Sequence, residues 1–148
     1  MNKKIFALLI IFIATISVAT VVASDELVSH DFNDFKMNIP DVQKEISETQ
    51  GDSNQTIYAV PNADETTFAF IEYWDTSNTN GNNNTTQVVL DKVKQNFTIK
   101  TDGDIISWDT KNSGEHGYLA SSDDNTKVIV ITSSDTRIQQ ALDSIEFK

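Results

Sequence analysis

The chain has 148 residues, with 11 Lys and Arg against 22 Asp and Glu, two His, no Cys and a formal charge of −11. That length suits one domain. Without cysteine there is no disulfide framework, thiolate metal site, cysteine nucleophile or lipidated Cys anchor, and the acidic balance argues against a nucleic-acid partner because it repels phosphate.

The N-terminus carries Lys3 and Lys4, then a chargeless stretch from Ile5 to Ala23. Val21 and Ala23 stand at the minus-three and minus-one positions before Ser24, so Ala23–Ser24 is the expected signal-peptidase cleavage point. The rival is an uncleaved anchor, since a secretory apolar core usually runs ~7–15 residues and a spanning helix needs ~20. Thr15, Ser17 and Thr20 dilute the stretch and favour cleavage. Either way the remainder is exported, to the cell surface or the extracellular space, and membrane contact is limited to residues 5–23 if they are retained. The expected division is a signal peptide or anchor over 1–23, a lead-in over 24–33 and one globular domain over 34–148.

Within that domain, residues 35–39 alternate apolar and polar before Pro40 and predict an opening strand. Residues 41–54 are polar, with Val42 and Ile46 at helical spacing, and read as a short helix or a loop. Residues 56–60 and 67–74 predict a hairpin around the turn composition of residues 62–65. In the second strand Phe68, Phe70 and Trp74 alternate with Ala69, Ile71 and Tyr73. Apolar residues on both faces predict a strand covered on both sides, and Glu72 is the exception. Residues 77–84 are Asn-rich and predict an exposed loop. A helix follows, with Asn84 and Gln87 as a capping box and Val89, Leu90, Val93 and Phe97 as its apolar stripe. Strands are expected over 104–110, 117–121 and 127–132, the last apolar on both faces and so central. A closing helix has Ser134 or Asp135 as cap and buries Ile138, Ala141, Leu142 and Ile145. This order predicts an α+β fold, an antiparallel β-sheet with helices packed on it.

The opening Phe35-Lys36-Met37-Asn38-Ile39-Pro40 and the closing Ala141-Leu142-Asp143-Ser144-Ile145-Glu146-Phe147 resemble the frame of PsbP/DcrB-like small secreted α/β sandwich proteins. The Asn-, Ile- and Lys-rich composition is similar to that of small exported proteins of methanogenic archaea. The resemblance implies an accessory envelope role and brings no catalytic residues with it. The chain departs from the lipoprotein members of the family in lacking their Cys.

The residues offer little catalytic chemistry. His116 lies near Ser113 and Asp109, but no nucleophile elbow surrounds Ser113, and His30 falls in the lead-in, so both histidines read as surface residues. Asp102 and Asp104 flank Gly103, and Asp123 and Asp124 sit in a second turn; these four are the candidate oxygen ligands for Ca2+. They do not form an EF-hand, because Thr101 precedes Asp102 and no Glu follows in register. A glycosidase pair would need a carboxyl in an apolar setting, and no acid stands out in that way. Phe68, Phe70, Tyr73, Trp74 and Trp108 read first as core packing and second as the lining of a ligand groove, for which Trp74 and Trp108 are the candidates for partial exposure. Asn54, Asn83 and Asn84 head the better placed N-glycosylation sequons, while Asn96 falls on the predicted helix, where a glycan fits less well. No cofactor is expected. The expected function is an exported, non-catalytic accessory protein that binds a protein or an envelope component; the alternative is a small-ligand or divalent-cation module.

Overall fold

The computed structural model describes residues 26–41, 45–51, 54–77, 84–112 and 114–148. The proposed signal segment, the Ala23–Ser24 junction, Asn83, Ser113 and most of the Asn-rich loop lie outside the described residues. No helix among those described is long and apolar enough to cross a membrane.

Among the described residues ten strands and two short helices follow one another as β1 Leu27–Asp31, β2 Phe35–Pro40, β3 Ser47–Gln50, β4 Gln55–Pro61, β5 Thr67–Asp75, α1 Thr85–Lys94, β6 Ile99–Asp102, β7 Ile105–Asp109, β8 His116–Ser121, β9 Lys127–Ser133, α2 Ile138–Leu142 and β10 Glu146–Phe147. The strands form two antiparallel sheets, β1-β2-β10 and β3-β4-β5-β9-β8-β7-β6. The large sheet is two meanders, β3-β4-β5 and β6-β7-β8-β9, joined by α1 and paired along β5 and β9. The fold is therefore β-rich and antiparallel, with less helix than the sequence pattern suggests.

Alternation along β2 explains the small sheet. Phe35, Met37 and Ile39 are buried while Lys36 and Asn38 point away. These side chains meet Tyr58, Ile71, Tyr73, Ile129 and Ile131 of the large sheet and Ile138, Ala141 and Leu142 of α2. Each such side chain, fully buried, contributes ~1.5–3 kcal/mol. Aromatic rings add geometry to this core. Phe32 stacks on Phe35 with centroids 4.6 Å apart, and the Tyr58 hydroxyl donates to the Phe32 carbonyl at 3.3 Å. Burial pushes the Tyr58 phenol up to about 12.

The second core lies on the other face of the large sheet. Val89 and Val93 of α1 cover Trp74, Trp108, Leu119, Val128 and Val130. The capping geometry expected for α1 is present, with Asn84 Oδ1 accepting from the Gln87 N–H at 2.9 Å. The first turn is also tied to the β8–β9 turn, because the Thr85 N–H donates to the Asn125 carbonyl at 3.0 Å. With a core on each side, β5 and β9 are covered on both faces, as their two-sided apolar patterns required.

Several local expectations change. The lead-in contains β1, which pairs with β2 across a register from Leu27↔Pro40 to Asp31↔Lys36. The polar stretch before β4 contains β3, whose residues are all exposed, so no burial pattern marked it. Phe97 lies beyond α1, yet it packs against the second core and stacks on Trp108. The strand β6 follows immediately. The closing helix ends at Leu142, and Glu146 and Phe147 pair with Lys36 and Phe35 as β10. Its N-cap is Arg137 rather than Ser134 or Asp135. Phe68 joins the first core, apart from Glu72 and Trp74, close to a register shift at Val60/Pro61.

Asp135 has a different task. It accepts from the Arg137 side chain at 2.9 Å on each oxygen, and Arg137 also reaches Asn62 Oδ1 at 2.7 Å and lies over the Phe68 ring. Burial works against the Asp135 charge, but these hydrogen bonds still hold its carboxyl below the usual range. Arg137→Ala removes the cation and leaves that carboxylate only the residue-137 N–H at 2.9 Å and Asn62 Nδ2 at 3.4 Å, and is expected to lower stability by about 2–3 kcal/mol in urea denaturation. A loss within error of zero would show that the clamp contributes nothing.

Candidate functional site

Seven strands face three, so the small sheet covers only part of the large one. Its fully buried contacts fall on β4, β5 and β9, with Ile105 and Tyr118 packed at their margin, and β8, β7 and β6 extend beyond as a wing. Strand alternation and the cross-strand register place Lys100, Ser107, Asp109, His116, Tyr118 and Ala120 on the inner face of this wing, where Lys100, Asp109 and His116 are exposed and the other three half-buried. On that face Asp109 bridges a lysine and a histidine: Lys100 Nζ lies 2.8 Å from Oδ2 and His116 Nδ1 lies 2.9 Å from Oδ1. The hydrogen bonds from Lys100 and then His116 hold the Asp109 carboxyl below the ordinary range. The group is a solvated surface network, and Ser113 lies outside the described residues.

At one end of the wing two turns converge. Gly103, with φ 59°, reverses the chain between Asp102 and Asp104, a left-handed conformation that glycine adopts without a Cβ penalty. Asn125, with φ 60°, does the same after Asp123 and Asp124. Both turns line one groove of about 880 Å3 whose far wall is Leu142, Asp143, Ile145 and Phe147. Ile105 and Ala120 form its floor, and Lys127 and Lys148 stand at its rim. All four carboxylates singled out from the sequence therefore reach the same groove, and Asp143 joins them.

The four are not equivalent. Asp124 Oδ1 accepts from Ser122 Oγ at 2.7 Å, Thr126 Oγ1 at 2.8 Å and the Thr126 N–H at 3.1 Å, and these bonds lower its pKa to about 2. It holds the turn, which leaves Asp102, Asp104, Asp123 and Asp143 to present charge. Among the described residues no set of three or more His, Asp or Glu side chains is arranged to hold a metal ion. What converges is two acidic turns, not a coordination cage.

The two tryptophans do not line an open groove. Trp74 is 7% exposed and Trp108 4%, and both are packed beneath α1 in the second core. Their apolar neighbours come from α1, β8 and β9, which are remote in sequence from at least one of the two rings. The sequons also differ in setting. Asn54 is half-buried beside the start of β4, and Asn84 is exposed but uses its side chain to cap α1. Asn96 lies past the end of α1 in an exposed turn, not on the helix.

The expectation that no acid stands out in an apolar setting is overturned by one buried carboxyl with a raised pKa. Glu72 is 6% exposed on the outer face of β5, where its Oε2 accepts from Gln55 Nε2 at 3.1 Å. Burial raises its carboxyl to about 8 against that hydrogen bond. Trp74 Nε1 faces the same carboxyl without reaching hydrogen-bond geometry, and Gln55 Oε1 has no partner among the described residues. The signal was visible as an acid on the Phe/Trp side of a two-faced apolar strand. Asp143 had no such signal, because helix position alone does not show which groove it faces.

Comparison with known protein families, with characterised proteins and with solved structures finds no match to this chain.

Proposed function

We propose that this chain is an exported, non-catalytic accessory domain, secreted or held at the cell envelope, that binds a protein or an envelope component through the wing of its large sheet. The observation that carries this reading is the convergence of the two acidic turns and Asp143 over an apolar floor in one groove. Carboxylates above Ile105, Leu142 and Phe147 suit a partner that presents cationic groups beside an apolar surface. The basic flank and chargeless stretch of residues 3–23 support export. The resemblance of the opening and closing segments to PsbP/DcrB-like proteins supports both the accessory role and, as the finer fold reading, an α/β sandwich of that kind.

The test is a crosslinking pull-down of the full chain from its own envelope fraction, read by mass spectrometry, beside a triple variant Asp102→Asn, Asp104→Asn, Asp123→Asn. Asp124 is left in place because it holds its turn. The native chain is expected to recover a repeatable partner and the variant about a tenth as much or less. Equal recovery would overturn the groove assignment, and a repeated blank with the native chain would overturn the accessory role. A Ca2+-dependent rise in melting temperature, lost in the triple variant, would favour the divalent-cation alternative instead.

A further inference from the structure

At the edge of the sandwich opposite the acidic groove, the two sheets fail to close. Among the described residues β1 is one edge of the small sheet and β3 one edge of the large one. Between them lies a slot of about 410 Å3 lined by Val28, Ile46 and Tyr58 within and by Asp41, Glu45 and Glu48 at the rim. Val28 is 39% exposed, one of the two large aliphatic side chains left that open among the described residues. A sandwich of this kind has room for one more strand here.

The hydrogen-bond ladder shows which backbone groups such a strand would meet. The Gly51 N–H donates to the Gln55 carbonyl at 3.0 Å, and Thr49 is paired with Ile57 and Ser47 with Ala59 in the same register. Antiparallel pairs alternate, so Ser47 and Thr49 spend their amides and carbonyls on β4, while those of Glu48 and Gln50 point outward. An outward row of donors and acceptors is a template for an added strand.

We propose that β3 accepts an extended segment of a partner polypeptide by strand addition, with Lys or Arg on the side of that segment that faces the slot, their aliphatic stems on Val28, Ile46 and Tyr58 and their charges against Asp41, Glu45 and Glu48, which line the same slot. Charge complementarity selects this occupant. Those three carboxylates favour Lys and Arg, and a second copy of a chain with net charge −11 brings the wrong sign. This site is separate from the groove and does not rest on the reading of it.

The test uses the full chain and two synthetic peptides, one alternating Val and Lys and the other Val and Glu. Amide hydrogen exchange and fluorescence anisotropy provide the readouts. The basic peptide is expected to bind about tenfold more tightly than the acidic one or better, and to slow exchange at the Glu48 and Gln50 amides. Gln50→Pro removes one outward N–H and no ladder bond, and is expected to abolish the slowing. Should that variant not fold, Glu48→Lys is expected to narrow or reverse the preference between peptides. Equal binding of the two peptides would overturn the proposal, as would unchanged binding by a folded Gln50→Pro chain. Slowing confined to other strands, or self-association that slows the same amides without peptide, would overturn it too.

Discussion

Glu72→Gln is expected to stabilise the protein at neutral and alkaline pH and to flatten its pH profile. The folded carboxyl titrates near 8, whereas an ordinary glutamate titrates near 4.5. Below pH 4.5 the folded and unfolded chains both hold the proton, and the group favours neither. Between 4.5 and 8 the unfolded chain releases it and the folded chain keeps it, so stability falls as pH rises. At ~1.4 kcal/mol per pH unit the loss is on the order of 4 kcal/mol by pH 8, after which it levels off. Glutamine has no proton to lose, and its amide can donate to Gln55 Oε1, which lacks a donor among the described residues. Carboxyls held low work in the opposite direction. Asp135 and Asp124 contribute stability that is present above the ordinary aspartate value and is lost as pH falls through their own lowered values. The native chain is therefore expected to be most stable in mildly acidic solution. Urea melts from pH 4 to 9 would decide the point: parallel curves for the native chain and Glu72→Gln would show that Glu72 is not the group responsible.

Gly117→Ala is expected to be among the most damaging single-methyl additions in the molecule. Gly117 is paired with Trp108 across β7 and β8, and a Cβ there would sit 2.1 Å from Trp108 Cε2 and 2.2 Å from Nε1. The indole cannot yield easily. It is 4% exposed, stacked on Phe97 at 6.3 Å and enclosed by the residues beneath α1. Either the ring leaves its rotamer or β7 and β8 separate, at about 3 kcal/mol, which for a domain of this size is a fall of roughly 10 °C in melting temperature. The backbone of Gly117 is ordinary, so the cost is steric rather than conformational. A double-mutant cycle with Trp108→Val separates these causes. Removing the indole is expected to cancel most of the alanine penalty. If the penalty persists in the Trp108→Val background, the contact with the ring is not its origin.

Legibility in the sequence follows burial pattern. The strand β2 alternated cleanly and β9 was apolar on both faces, so one read as half-buried and the other as central, and both hold. The strand β3 consists of four exposed polar residues paired only on one side. Its strand character comes from the register of β4, which no local pattern displays. The last segment misled for a related reason. Ile138, Ala141, Leu142 and Ile145 keep helical spacing, but Phe147 gains more by pairing with Phe35, and the helix ends early. Trp74 and Trp108 illustrate the same limit at the site. Aromatic identity does not tell a groove lining from a core ring, and here α1 provides the cover.

By itself the sequence determined the antiparallel strand character, the capped helix from Thr85 and the acidic turns, but not that Glu72 is buried. These depend on periodicity, capping chemistry and turn residues within a few positions of one another. Only the tertiary structure decided that the strands divide into sheets of three and seven, that β9 returns to pair with β5, and that β8, β7 and β6 extend past the small sheet as a wing. It also decided that Asp102, Asp104, Asp123 and Asp143 share one groove and that β1 and β3 leave an open slot. Those outcomes depend on which distant apolar faces cover one another. That choice is made by non-local packing and register, which local spacing does not encode.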